Sequence, residues 1–160
     1  MASLHSGPLR FFRISDRRHV VFDGTGTYLT GARWTSAGRR VIYAAETYAG
    51  ALLEILVHAA IGSVTRSDSW IEITVPSSVS TEVVQAEEVP GWDAGDRIVS
   101  RQFGDRWYRE RRTAVLLVPS LVTHGVERNI LLNQDHPGFA DISATAPREV
   151  DWDERLFNLR

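Results

Sequence analysis

Short apolar runs, separated by turn residues, fill most of the chain and predict a protein rich in β-strands. In the segment 69–76 (SWIEITVP) polar and apolar residues alternate, which is typical of a strand with one buried face. The other runs are rich in the β-branched and aromatic residues that strands favour. They are 9–14 (LRFFRI), 39–45 (RRVIYAA), the start of 80–92, 113–120 (TAVLLVPS) and 126–133 (VERNILLN).

Two segments have helical character. The segment 47–60 (TYAGALLEILVHAA) is too long for a strand and rich in helix formers, so it predicts a helix with Thr47 near its N-cap. A second helix is expected around 95–103, before an arginine-rich stretch, whereas the Gly- and Thr-rich segment 24–32 predicts an irregular loop. Because strands and helices do not alternate regularly, the pattern predicts an α+β fold with a curved, mostly antiparallel sheet.

Composition narrows the class of protein. A chain of 160 residues fits one compact domain, 1–160, and its 43% apolar and 24% charged residues are ordinary globular values. The absence of cysteine excludes disulfides, a thiol nucleophile and thiolate zinc sites, and it suits a reducing cytoplasm. No stretch has the length of a signal-peptide core or a membrane span, so we expect a soluble cytoplasmic domain. The net charge of −2 argues against nucleic acid as the ligand.

One carboxylate, Glu54, stands inside the apolar run ALLEILV. Burying an unpaired carboxylate is costly, so such a residue is usually paired, at a pocket surface, or functional. On a helix its neighbours are Gly50, Ala51 and His58, which form a stripe of small or polar side chains with room for a ligand. The alternative is a Glu54–His58 pair on a helix surface, and the residues alone favour that alternative slightly.

Arg33 and Tyr43 are two further candidates. A guanidinium suits bidentate recognition of phosphate or carboxylate, and the glycines near Arg33 would let the backbone approach an anion. Each residue also has a plain structural interpretation, a surface arginine and a half-buried core aromatic. If 33–35 and 41–43 form a hairpin, Arg33 and Tyr43 lie opposite each other on one face.

Other polar residues give weaker signals. Ser120 ends an apolar strand, but no Gly-x-Ser-x-Gly elbow surrounds it, so it does not indicate a serine hydrolase. The five histidines lack metal-ligand spacing, and we expect no metal site. The segment 104–112 (GDRWYRERR) is best interpreted as a solvated charged face.

Taken together and in order, several motifs resemble the RES family, the toxins of RES–Xre toxin–antitoxin pairs. No single motif is diagnostic, but the ordered set is specific and spans nearly the whole chain. The motifs are FFRI, GARW, VIYAAET, ALLEILVH, GDRWYRERRTAVLLVPS, NILLNQDHP and WDERLF. The resemblance implies a compact fold like that of ADP-ribosyltransferase toxins and an enzyme that consumes NAD.

The family's functional residues carry over to five positions. The resemblance places the arginine of the Gly-x-Arg-Trp motif at Arg33, the strand tyrosine at Tyr43 and the helix glutamate at Glu54. It also places the serine of the Val-Pro-Ser motif at Ser120 and the arginine of the opening strand at Arg13.

The chain departs from the family pattern in its loops. Ala32 and Thr35 stand where the family often has Gly and Asn, and Gln134 stands where Pro is usual. These departures leave substrate preference open.

The resemblance gives each residue a chemical role. Arg33 would bind the pyrophosphate of NAD, and Tyr43 or Trp34 would stack on the nicotinamide ring. Cleavage of the nicotinamide–ribose bond gives the ribose oxocarbenium character, which the Glu54 carboxylate would stabilise. NAD enters as a substrate, and no metal is implied.

Three functions remain open from the sequence. The leading hypothesis is cleavage of NAD, with water or phosphate as acceptor, by a toxin that arrests growth. The alternatives are transfer of ADP-ribose to a protein and a catalytically silent binding module. The resemblance also implies that the partner is an Xre-type antitoxin with a DNA-binding helix-turn-helix. We expect the toxin itself to contact neither nucleic acid nor membrane, and a homodimer is compatible with the family.

Overall fold

The computed structural model describes residues 6–59 and 68–157. Within this part of the chain, eight strands form one sheet, in the order β4-β5-β6-β2-β1-β3-β7, with β8 also paired to β3. The strands are β1 (Leu9–Asp16), β2 (Val41–Ala45), β3 (Asp68–Val75), β4 (Thr81–Val83), β5 (Val115–Pro119), β6 (Arg128–Asn133), β7 (Ser143–Ala144) and β8 (Arg148–Glu149). The helices are α1 (Thr25–Thr30), α2 (Tyr48–Ala59) and α3 (Ile98–Glu110), with three short 3-10 turns between other elements.

The sheet is mostly antiparallel, as predicted. β1 pairs with β3 along its whole length, from Leu9 opposite Val75 to Asp16 opposite Asp68. Among the described strands only β4 and β5 run parallel. The α+β architecture expected from the sequence is therefore confirmed.

The sheet is covered on both faces. β5 (VLLVP) is buried along its entire length because its successive side chains enter different apolar clusters. Leu117 belongs to a cluster with Ile42 and Ile130, whereas Leu116 packs with Trp34 and Trp107 beneath α3. A strand with two buried faces has a continuous apolar sequence, which explains the run TAVLLVPS.

A third cluster fixes α2 against the sheet. Ala51 and the partly buried Leu52 and Ile55 pack against Ile14 of β1 and Ala45 of β2. The Thr47 side chain accepts a hydrogen bond of 2.9 Å from the Gly50 backbone N–H, which confirms the predicted start of this helix. Residue 60, the last of the predicted helix, lies outside the described residues.

Three sequence predictions need correction. The segment 24–32, predicted as a loop, contains the short helix α1, which ends at Gly31 in a positive-φ conformation. The second helix was expected around 95–103 but runs from Ile98 through the arginine-rich stretch to Glu110. Ser100, Gly104 and Trp107 are its buried residues and share one helical face, so 104–112 is half of a packed helix and not only a solvated surface.

The hairpin predicted from 33–35 and 41–43 is wrong. The segment 33–35 is not a strand, and β2 pairs with β6 and with β1, both distant in sequence from it. No described helix has the length and apolar character needed to cross a membrane.

Candidate functional site

A cleft of about 590 Å³ opens between α2, the central strands and the loops around Arg33 and Arg97. This volume lies within the usual range for small-molecule sites, roughly 300–1,000 Å³. Arg13, Arg33, Tyr43 and Glu54 all line it, although they come from four separate segments of the chain. Together with Trp34, five of the residues that the sequence selected line this cleft.

Glu54 is held at the cleft wall by two side chains from the neighbouring strands. Its Oε1 accepts hydrogen bonds from Asn129 Nδ2 at 2.8 Å and from Ser120 Oγ at 3.2 Å. Its other oxygen, Oε2, lies 3.5 Å from His58 Nε2, and the Glu54 side chain is 22% exposed. The Glu54–His58 pair therefore exists, but the carboxylate is also fixed by contacts that a simple helix-surface pair would lack.

Arg33 lines the cleft and also holds a neighbouring loop. Its Nη1 donates to the carbonyls of Trp92 at 3.3 Å and Ala94 at 3.1 Å. Burial lowers the pKa of Arg33 below its ordinary value, and the nearby charge of Arg97 lowers this pKa further. The carboxylates of Asp93 and Glu54 act in the opposite direction and raise this pKa.

Tyr43 presents a neutral hydroxyl beside the cleft. Its hydroxyl oxygen lies 2.9 Å from Thr35 Oγ1, and burial raises the pKa of the Tyr43 hydroxyl above its ordinary value. Tyr43 is half-buried on β2, between β1 and β6, so its position is set by the centre of the sheet.

Trp34 borders the cleft, but its ring belongs to the core. It is 2% exposed, its ring stacks on Trp92, and it meets the edge of Phe103. Its burial against other side chains favours Tyr43 over Trp34 for stacking on a ligand, and the stacking role of either ring stays a prediction.

Arg13 provides a second half-buried cation at the cleft. Its Nε donates to Val21 O and its Nη1 to Tyr43 O, each at 2.6 Å. Burial lowers the pKa of Arg13 to about 10, so the guanidinium stays charged at neutral pH. Its contact with the carbonyl of Tyr43 couples it directly to the strand that carries the tyrosine.

Ser120 and Asn129 both hold the Glu54 carboxylate, and Asn129 also lines the cleft. Ser120 is 3% exposed and does not line the cleft, so its contact is with the carboxylate rather than with the cavity. Asn129 was missed by the sequence reasoning. The sequence feature that could have indicated Asn129 is its position as a polar residue at the start of the otherwise apolar strand β6, where it lies directly opposite Ala45 of β2.

The described residues hold no group of three or more His, Cys, Asp or Glu side chains placed to bind a metal ion. The chemistry that they can supply is that of a carboxylate facing several guanidinium groups in a cleft. Such a site is suited to an anionic ligand with a reacting centre that becomes positively charged.

The RES domain model matches residues 10–153, and the chain belongs to the RES domain family. The resemblance seen in the sequence motifs is thereby confirmed. The chain is 39% identical over 154 residues to the Prs ADP-ribosylating toxin of Sphingobium sp. (strain YBL2), covering 91% of this chain and 95% of that protein. It is 34% identical over 136 residues to a Toxin Res of Pseudomonas putida, covering 84% and 91% of the two chains.

The fold is also found among solved structures. The M. tuberculosis MbcT–MbcA toxin–antitoxin complex contains a chain that matches with a TM-score of 0.73 at 15% identity. The match covers 93% of this chain and 87% of that chain.

Proposed function

We propose that this protein is the toxin of a toxin–antitoxin pair and consumes NAD by cleaving the nicotinamide–ribose bond. The observation that carries the proposal is the carboxylate of Glu54, fixed by Asn129 and Ser120 at the wall of a cleft that also presents Arg33. The relatives named as toxins, at 39% and 34% identity over most of the chain, support the same assignment.

The proposed reaction follows from the charges in the cleft. As the bond from ribose C1′ to the nicotinamide nitrogen breaks, its electron pair leaves with nicotinamide and the ribose becomes an oxocarbenium ion. Glu54 stabilises this positive charge, because its Oε1 is held in place and the carboxylate needs no reorganisation during the reaction. The guanidinium of Arg33 binds the pyrophosphate, and the Tyr43 ring packs beside nicotinamide.

The acceptor of the ADP-ribosyl group distinguishes two candidate functions. With water or inorganic phosphate, the oxygen nucleophile bonds to C1′ and the product is free ADP-ribose or its phosphorylated form. With a protein side chain, the product is an ADP-ribosylated protein. The name of the Sphingobium relative, an ADP-ribosylating toxin, specifically favours this second candidate.

One incubation separates these functions. The purified protein is mixed with NAD labelled in its adenylate part, with and without a cell extract and inorganic phosphate, and the products are identified. Free labelled ADP-ribose or its phosphorylated form identifies degradation, and label retained on protein identifies transfer. No release of nicotinamide above background under either condition would leave only a catalytically silent binding module.

We further propose an Xre-type antitoxin as the partner of this chain. The structural neighbour with the same fold is a toxin in a toxin–antitoxin complex, which supports an antitoxin partner in general. The antitoxin is expected to cover the mouth of the cleft near Arg33 and Glu54, so that growth is restored when both proteins are made together. Persistent toxicity in the presence of every neighbouring Xre-type gene would contradict this pairing.

A further inference from the structure

Arg97 stands where an arginine is locally unfavourable. It directly precedes α3 with φ 60° and ψ 13°, a left-handed conformation that favours glycine or asparagine. The residue that precedes a helix is most often Ser, Thr, Asp, Asn or Gly, and the positive end of the helix dipole disfavours a cation there. Local structure alone would select a different residue, and such exceptions are often functional.

The backbone of Arg97 is fixed at the edge of the cleft. Its N–H donates to Ala94 O at 3.2 Å, and Arg33 holds the same loop through the carbonyls of Trp92 and Ala94. Ser100 Oγ donates to Arg33 O at 2.7 Å, which ties the first turn of α3 to the Arg33 segment. The two arginines are therefore held near each other by the protein.

The side chain of Arg97, in contrast, has no protein partner within residues 6–59 and 68–157. It is exposed, lines the cleft, and forms neither a hydrogen bond nor an ion pair with those residues. Arg101, on the first turn of α3, does have a partner: its Nε donates to Ala32 O at 2.9 Å. Arg97 is close enough to Arg33 for its charge to lower the pKa of Arg33 beyond the effect of burial.

We propose that Arg97 is a binding residue for the pyrophosphate of the dinucleotide and shares this anion with Arg33. Two neighbouring guanidinium groups repel each other when the cleft is empty, and a ligand with adjacent negative phosphates removes that repulsion. Glu54 acts on the same Arg33 with the opposite sign, so Arg33 lies within electrostatic reach of both Glu54 and Arg97. Arg33, Arg97 and Glu54 line the same cleft, so we expect the ribose of the dinucleotide at Glu54 and its pyrophosphate at the two arginines. The inference rests on the proposed use of NAD.

The test is a calorimetric measurement of ADP-ribose affinity, which does not require turnover. ADP-ribose carries the pyrophosphate but no nicotinamide. Loss of one charge-assisted contact should raise its Kd about ten- to a hundredfold in Arg97→Gln. Arg97→Gly should raise the Kd equally while leaving the melting temperature unchanged or higher, because glycine adopts the left-handed conformation without strain. Arg97→Lys should retain part of the affinity.

Two arginines elsewhere on α3 provide matched controls. Arg111 also has a left-handed backbone, with φ 48°, at the opposite end of α3 and outside the cleft lining, so Arg111→Gly controls for the backbone. Arg106 is exposed and does not line the cleft, so Arg106→Gln controls for net charge. Both variants should bind ADP-ribose like the parent protein.

Kinetic measurements with two substrates distinguish a loss of pyrophosphate binding from a general structural defect. The KM for NAD should rise in Arg97→Gln with little change in kcat, whereas kcat/KM for nicotinamide riboside, which has no phosphate, should stay at the parent value. An ADP-ribose Kd within twofold of the parent, equal losses with both substrates, or no ADP-ribose binding by the parent would overturn the inference. ADP-ribose binding that depends on Arg97, without release of nicotinamide from NAD, would instead refute the proposed reaction alone.

Discussion

At the scale of single residues, the site depends on how Glu54 is kept charged and oriented among apolar neighbours. A carboxylate removed from water needs hydrogen-bond donors, and Asn129 and Ser120 provide them on one oxygen. Asn129 is a neutral donor, so it orients the carboxylate without cancelling the negative charge that the proposed reaction needs. We therefore expect Asn129 to position Glu54.

Replacing Asn129 with Asp should therefore alter the pH dependence of the reaction. A second carboxylate within about 3 Å of Glu54 makes it unfavourable for both to be ionised, so the acid limb of the rate–pH profile should move to higher pH. Asn129→Ala, which removes the donor without adding charge, should lower kcat with a smaller shift of that limb. The measurement is nicotinamide release from NAD between pH 4 and 9. Identical profiles for the parent and both variants would show that Asn129 does not act on Glu54.

At the scale of elements, α3 positions the Arg33 loop through a very close contact. A Cβ atom added at Gly104 would lie 1.8 Å from the carbonyl oxygen of Trp34, which is backbone and cannot rotate away. Gly104 thus lets the helix approach the segment that carries both Trp34 and Arg33. Trp107, fully buried on the same helical face, anchors this approach.

Gly104→Ala should consequently destabilise the protein, although alanine is the better helix former. Overpacking of this kind typically costs about 1–3 kcal/mol in the free energy of unfolding. The matched control is Gly26→Ala in α1, where nothing lies within 4 Å of an added Cβ. This control should be neutral or stabilising by up to about 1 kcal/mol. Chemical denaturation of both variants checks the prediction, and equal stability of the two would contradict the proposed packing.

The strands and α2 were predictable because their signals are local. The alternation of polar and apolar residues predicted β3, a continuous apolar run predicted β5, and Thr47 predicted the start of α2. The extent of α3 was missed because its buried face, Ser100, Gly104 and Trp107, is short of large apolar residues. The false hairpin had a different cause: β2 pairs with β6, and no local pattern encodes a pairing between strands so far apart in the sequence.

The candidate site was also predictable only where its residues lie in local sequence motifs. Arg13, Arg33, Tyr43 and Glu54 were found through motifs and line one cleft, as the predicted site required. Asn129 was missed because it is 75 residues from Glu54, and only the fold brings the two side chains together. Trp34 was given a ligand-stacking role that its burial against Trp92 and Phe103 does not favour.

At the scale of the whole molecule, the charge distribution matches a small anionic substrate. The net charge is −2, yet among the described residues the cleft lining includes three arginines and a single carboxylate, Glu54. A positively charged cleft raises the local concentration of a small anion even when the molecule as a whole is slightly negative. The expectation of a single domain over 1–160 stays a prediction, although the family match extends over 10–153.

The most direct test of the central claim compares nicotinamide release from NAD by the parent protein and by Glu54→Gln. Glutamine keeps the size of the side chain and removes the charge that would face the oxocarbenium ion, so kcat should fall about a hundred- to a thousandfold. NAD affinity should change much less, because the ground-state ribose carries little of that charge. Glu87→Gln, at an exposed glutamate outside the cleft, is the control and should match the parent. A folded Glu54→Gln variant that releases nicotinamide at the parent rate would mean that the charge of Glu54 has a structural role only and that the proposed mechanism is wrong.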